Sequence, residues 1–198
     1  MACKKFRIFP RTGVGTDGFP TVGTPVLLVP AGTDNKEHNI KSVALSNEVN
    51  TASVEADDDV EETTVVKREK LTVEAFGINP DAIVALGLAV KDSNGNLMFK
   101  SANTTHVVLY NKGANQKGLK KDYWFYDAVA QPLDQKTITQ LQGNSTDPIS
   151  ITLYNYPIKA TGFDDPIPHG EVFEGNTGYL ADDHTIAAAD LYKGTVAS

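Results

Sequence analysis

Apolar and polar positions alternate with period two in several short stretches of the chain, and this alternation predicts β-strands. The clearest lies within residues 122–158. Residues 123–130 are nearly all aromatic or small and apolar, while Ile149, Ile151 and Leu153 alternate with Ser150, Thr152 and Tyr154. The polar stretch between them begins with Gln131-Pro132 and closes with turn residues, so the chain is expected to reverse there. A shorter strand signal at residues 106–110 would pair beside this hairpin. Val26, Leu27, Leu28 and Val29, bounded by Pro25 and Pro30, predict an edge strand or a strand start. Before them stand a short apolar run at residues 6–9 and a surface loop with Gly13, Gly15, Gly18 and Pro20. That loop lacks the Lys-Ser/Thr ending of a phosphate cradle.

Residues 43–76 read as one long hairpin. Val43, Leu45, Val65, Val66, Leu71 and Val73 supply its strands, and Glu55, Asp57, Asp58, Asp59, Glu61 and Glu62 make its tip acidic. Consecutive residues of an extended chain point in opposite directions, so the Asp57-Asp58-Asp59 triplet is expected to be a solvated, self-repelling loop rather than a metal or nuclease centre. One helix is expected at about residues 80–86. Asn79 can cap it, Pro80 suits its first position, Asp81 complements its dipole and Gly87 stops it. A turn at residues 91–96 resembles a fragment of a calcium loop but lacks its alternating ligands and closing glutamate.

The pattern gives a mainly β fold, a β-sandwich or open barrel with one flanking helix. Its domain is expected to span residues 1–158. Residues 159–198, rich in Gly, Pro and acidic side chains, are expected to form an extended C-terminal arm with few core contacts of its own and a short helix at residues 184–192 capped by Asp182 or Asp183. Phe163, Val172, Phe173 and Tyr179 are the arm residues expected to dock on a neighbouring subunit.

Charge and chemistry narrow the picture. Eighteen basic and twenty-five acidic residues give a net charge of −7, which disfavours tight attraction to nucleic acid or an anionic membrane. Cys3 is the single cysteine, so no intrachain disulfide can form. The N-terminus reads as lacking a signal peptide and no apolar run reaches membrane-spanning length, so synthesis in a cytoplasm is the simplest expectation, with little weight on the sequons at Asn103 and Asn144. His38, His106, His169 and His184 stand in unrelated contexts, and no nucleophile elbow or metal spacing accompanies them. No catalytic residue, metal or cofactor is expected, and the chain is not read as an enzyme.

The order of helix INPDAIVALG, turn KDSNGNLMF and strands HVVLYN, YWFYDAVAQP and DPISITLYNYPI resembles the major tail proteins, or tail tube proteins, of long non-contractile-tailed bacteriophages of Gram-positive hosts. The resemblance covers residues 43–158, and Gln131-Pro132 stands where that family often has an Arg-Pro pair. It implies a β-sandwich protomer that forms hexameric rings, stacked into a hollow virion tube through which DNA passes without being tightly bound. The implied partners are further copies of the chain, a tape measure protein and tail tip or terminator proteins. The hairpin at residues 43–76 would reach toward the next ring. An acidic wall suits such a conduit, and a head-to-tail interface explains how one small domain builds an open stack.

Three alternatives stay open at the level of sequence. A pilin-like or adhesin-like surface module would share the strand pattern but predicts an export signal and an anchor. A small glycan hydrolase would need two carboxylates about 5 to 10 Å apart across a cleft. A tail-terminator or baseplate ring protein of the same fold would form a finite ring.

Overall fold

The computed structural model describes residues 2–30, 39–56, 59–114, 118–142 and 147–194, and residues 2–4, 52–56, 59–63 and 142 by backbone alone. Its strands are β1 (Ala2–Val14), β2 (Pro20–Val22), β3 (Val26–Leu27), β4 (Ile40–Ala56), β5 (Asp59–Ala75), β6 (Ala89–Lys91), β7 (Leu97–Phe99), β8 (Val107–Ala114), β9 (Lys120–Ala130), β10 (Ile149–Asn155) and β11 (His169–Phe173). Two helices, α1 (Pro80–Ala85) and α2 (Gln135–Gln142), accompany them. The chain is mainly β, as its alternation predicts.

One antiparallel sheet runs β2-β1-β8-β9-β10-β5-β4, with β3 added on β1 and β11 on β9, while β6 and β7 form a separate hairpin. The sheet curls so that β4 comes close to β1. Strand periodicity then divides the apolar residues between two faces. Phe6, Ile8, Leu71, Val73, Leu109, Phe125, Ile151 and Leu153 fill the inner cluster. Phe9, Val108, Tyr110, Trp124 and Tyr126 form an aromatic outer cluster. In β9 the inner residues shift from Tyr123 and Phe125 to Ala128 and Ala130, a change of parity at the irregular pairing opposite Val107 and Leu109. An extra residue there exchanges the faces of the strand.

Helix α1 closes one end of the inner cluster with Ala82, Ile83 and Leu86. The Asp81 amide donates to Asn79 Oδ1 at 3.0 Å, and Gly87 takes the positive φ of 75° that ends the helix, as its residues predict. Asn103 Nδ2 donates to the carbonyls of both Leu86 and Ala130, fastening the helix end to β9. The Asn103 amide is thereby committed to the fold rather than offered as a sequon. The polar connection between β9 and β10 contains α2, which the alternation did not predict; Asp134 Oδ1 accepts the Thr137 amide at 2.7 Å and starts it.

The C-terminal arm departs furthest from expectation. It has many core contacts of its own, because the outer aromatic face would otherwise be bare. Ile158, Ala160 and Ile186 are buried against that face, with Phe163, Ile167, Leu180, Leu191 and Tyr192 packed around them. β11 joins the sheet beside β9, pairing His169 with Phe125 through to Phe173 with Lys121. The helix expected at residues 184–192 is only a 3-10 turn at Ala188–Asp190, capped from within by Asp190, which accepts the Ala187 amide. Near the N-terminus, β1 also runs past the short apolar run at residues 6–9, and its Gly13 and Val14, expected in a loop, pair with Thr21 and Pro20.

Candidate assembly interface

The long hairpin expected at residues 43–76 is present, and its support is uneven. β4 and β5 pair along their whole length, from Ile40 opposite Ala75 to Ala56 opposite Asp59. β10 lies on the other edge of β5 only from Ala75 back to Glu69. From Arg68 to Asp59, therefore, β5 has β4 as its partner and no strand on its other side among the described residues. At about 3.3 Å per residue this two-stranded ribbon extends roughly 30 Å from its root. A lone two-stranded hairpin is marginal in water and offers unpaired backbone on both edges. Val49 and Val65 stand on it about half exposed, Val65 in a groove shared with Asp165, Pro166 and Pro168 of the arm.

The acidic residues lie at the far end. Glu55 pairs with Val60, Glu61 with Val54, Glu62 with Ser53 and Asp59 with Ala56; Asp57 and Asp58 lie outside the described residues.

At the root, a buried polar group joins three strands. Glu69 is fully buried; its Oε1 meets His169 Nδ1 at 2.6 Å and its Oε2 accepts Asn155 Nδ2 at 2.8 Å. Asn155 also donates to the Pro168 carbonyl and accepts the Asp127 amide, so it is fully engaged where β10 and β11 part from β9. His169 Nε2 lies 3.4 Å from Glu171, which accepts Lys121 Nζ at 2.5 Å. Burial lowers the His169 pKa, but Glu69 and Glu171 outweigh it and hold the imidazole above its ordinary value. Burial likewise raises Glu171, yet Lys121 and His169 bring it below the ordinary carboxylate value. On the neighbouring position, Arg68 bonds Glu48 at 2.6 Å and lies 3.9 Å over the Tyr154 ring, where these contacts hold it firmly charged.

The arm residues expected to reach a neighbour are mostly used inside the protomer. Phe163 packs edge-on against Phe19 at 6.2 Å, Val172 is buried opposite Asp122, and Tyr179 lies under Lys112 Nζ at 3.9 Å. Phe173 alone of the four is exposed, beneath Lys121. A second buried charge pair explains why the arm stays down. Lys112 Nζ and Asp122 Oδ1 meet at 2.8 Å, and Tyr110 Oη donates to the same oxygen. Lys112 then donates to the Leu180 carbonyl at 2.5 Å, while Asp122 Oδ2 accepts the Leu180 amide at 2.7 Å. Burial and the Asp122 charge push the Tyr110 hydroxyl far above its ordinary pKa, so it remains a donor. Lys5 adds a bond to the His184 carbonyl at 2.8 Å. Tyr126 Oη donates to the Tyr192 carbonyl at 2.8 Å.

His106 has an oriented carboxylate that sequence did not reveal. Its Nδ1 meets Asp127 Oδ1 at 2.7 Å, and Arg11 Nη1 donates to the same oxygen. These side chains line an open groove of about 720 Å³ with Thr12, Gly13, Val14 and Thr105. The three described histidines each lie on a carboxylate, His184 on Asp190 at 2.9 Å. His38 lies outside the described residues. Lysines and acids standing inside apolar strands, Lys112 in HVVLYNKGA and Asp122 and Asp127 around YWFYD, are the sequence signal for these buried pairs. Glu69 and His169 carry no such signal, being a hundred positions apart.

Among the described residues no group of three metal-ligating side chains occurs, and no helix is long and apolar enough to cross a membrane. No family model matches the chain, and no curated protein matches it significantly.

Proposed function

We propose that this chain is a structural subunit that assembles with copies of itself into rings and then a hollow tube, as the resemblance to phage major tail proteins implies. The observation that carries the reading is the ribbon of β4 and β5 beyond Glu69. Its unpaired strand edges and the half-exposed Val49 and Val65 would gain partners on a neighbouring subunit, by strand addition and apolar contact. The arm is already committed to its own aromatic face, so the ribbon is the larger surface left for assembly. Phe173 is the arm's remaining exposed contribution. A net charge of −7 suits a conduit through which DNA slides without adhering. Partners in such a tail are other copies of the chain, a tape measure protein and tip or terminator proteins, within the virion.

Negative-stain electron microscopy of the purified protein across a concentration series, with size-exclusion chromatography alongside, tests the proposal. Stacked sixfold rings with an open lumen are the expected result. Single rings that never stack would indicate a terminator or baseplate role. A monomer at every concentration that also fails to add to preformed tail tips would overturn the tube reading.

A further inference from the structure

The root of the ribbon has a feature that assembly alone does not require. Glu69 on β5 is a wholly buried carboxylate, and its partners are the Asn155 amide and the His169 ring. A buried carboxylate left with neutral partners is costly, whereas one beside an imidazolium is compensated. The groups facing His169 come from every element around it. β5 supplies Glu69, β11 supplies Glu171, and β10 supplies the uncharged Asn155 through Glu69. β9 presents the rings of Tyr123 and Phe125, at 6.3 and 5.5 Å, and Lys121, which pairs with Glu171. Counted with charged His169, the cluster is two acids and two cations. With neutral His169 it carries an unbalanced negative charge beneath the ribbon.

We infer that His169 is a pH-sensitive lock on the hairpin root: charged, it ties β5 to β11 through a charge-assisted bond to Glu69 and fixes where the ribbon leaves the body; neutral, it leaves the buried Glu69 charge uncompensated and loosens that junction. The neutral ring can keep its Nδ1–H on Glu69, but that bond then lacks the charge that makes it roughly twice as strong, and Nε2 no longer donates toward Glu171 within β11. The direction of the pH effect follows. Because the folded protein holds His169 above its ordinary value of 6.5, the lock is fully present below that pH and is lost as pH rises through the folded pKa. The lock is a property of the protomer, and it stands or falls independently of tube formation.

The test is an NMR titration of His169 in the full chain from about pH 5.5 to about 8.5, the physiological range of imidazole switches, paired with amide exchange corrected for its intrinsic pH dependence. His169 is expected to titrate above 6.5. Over that step, protection at residues 67–71 and 153–156 should fall about tenfold while α1 stays unchanged. Glu171→Gln should move the step to lower pH, and His169→Gln should abolish it. Titration at or below 6.5, or root protection that stays constant through the titration, would overturn the inference. Should His169→Gln fail to fold, the wild-type protein and Glu171→Gln still decide it.

Discussion

Asn155 and Glu69 stand opposite each other in the register of β10 and β5, and the Asn155 amide donates to Glu69 Oε2 with both residues fully buried. Here a strand ending, a carboxylate and the start of β11 meet in one side chain. Asn155→Ala removes a donor to a buried charge and leaves the Pro168 carbonyl and the Asp127 amide without it. Hydrogen bonds to charged groups contribute about 1.5 to 3 kcal/mol, so the variant is expected to lose about 3 kcal/mol in all. Urea denaturation at neutral pH measures it, and a loss below about 1 kcal/mol would contradict this account of the junction.

The Lys112 and Asp122 pair makes a different prediction, since both side chains are sealed and both hold the arm at Leu180. Removing one partner of a buried pair typically costs about 3 to 5 kcal/mol, because the other charge is left uncompensated. Asp122→Ala should therefore be strongly destabilised. It should also expose the arm near Leu180 to proteolytic cutting at temperatures where the wild-type arm resists, and mass spectrometry of the fragments locates the cut.

Acid and base should act on opposite sides of the same cluster. Glu171 is held below its ordinary 4.5, so its contribution is present above that pH and lost as pH falls through the folded pKa. His169, held above 6.5, contributes fully below that pH and less above it. Together they give a plateau between these two values. Unfolding midpoints measured across pH should show a shoulder there that Glu171→Gln removes on the acid side and His169→Gln on the basic side.

Val65 and Val49 separate folding from assembly. Both are about half exposed on the ribbon, and surface changes of this kind usually alter stability by less than about 0.5 kcal/mol. Val65→Asp and Val49→Lys should thus melt like the parent protein. If the ribbon carries assembly, both should still abolish tubes or rings in electron micrographs; tubes of normal length from either variant would remove the ribbon from the interface.

The legible parts of this fold were those in which adjacent residues agree. Asn79, Pro80 and Gly87 mark α1 within one short run, and the alternation in residues 149–154 marks β10. The long hairpin was equally plain, for its two strands are neighbours in sequence and share a β-branched pattern. The arm was illegible because its apolar residues stand singly: Phe163, Ile167, Leu180, Ile186 and Leu191 follow no period, yet all pack on the aromatic face. β1 was cut short for a related reason. Lys5 and Arg7 interrupt its apolar pattern, yet both are buried, and Lys5 is drawn down from its ordinary pKa by burial and by Arg7 and Lys112. The polar cluster of Glu69, Asn155 and His169 exists only in the folded chain, since Glu69 lies 86 positions from Asn155 and 100 from His169.

The arm also fixes an order of events during synthesis. Lys5 is bonded to the carbonyl of His184 and Asp17 to Lys193, across 179 and 176 positions. A nascent chain therefore presents Phe9, Tyr110, Trp124 and Tyr126 as an uncovered aromatic surface until residues 158–193 leave the ribosome. Such distant closures make folding slow and leave a sticky intermediate. A protein whose first strand waits for residues 184–193 completes its outer layer only once they have been made, and a product cut short before them keeps that aromatic surface bare.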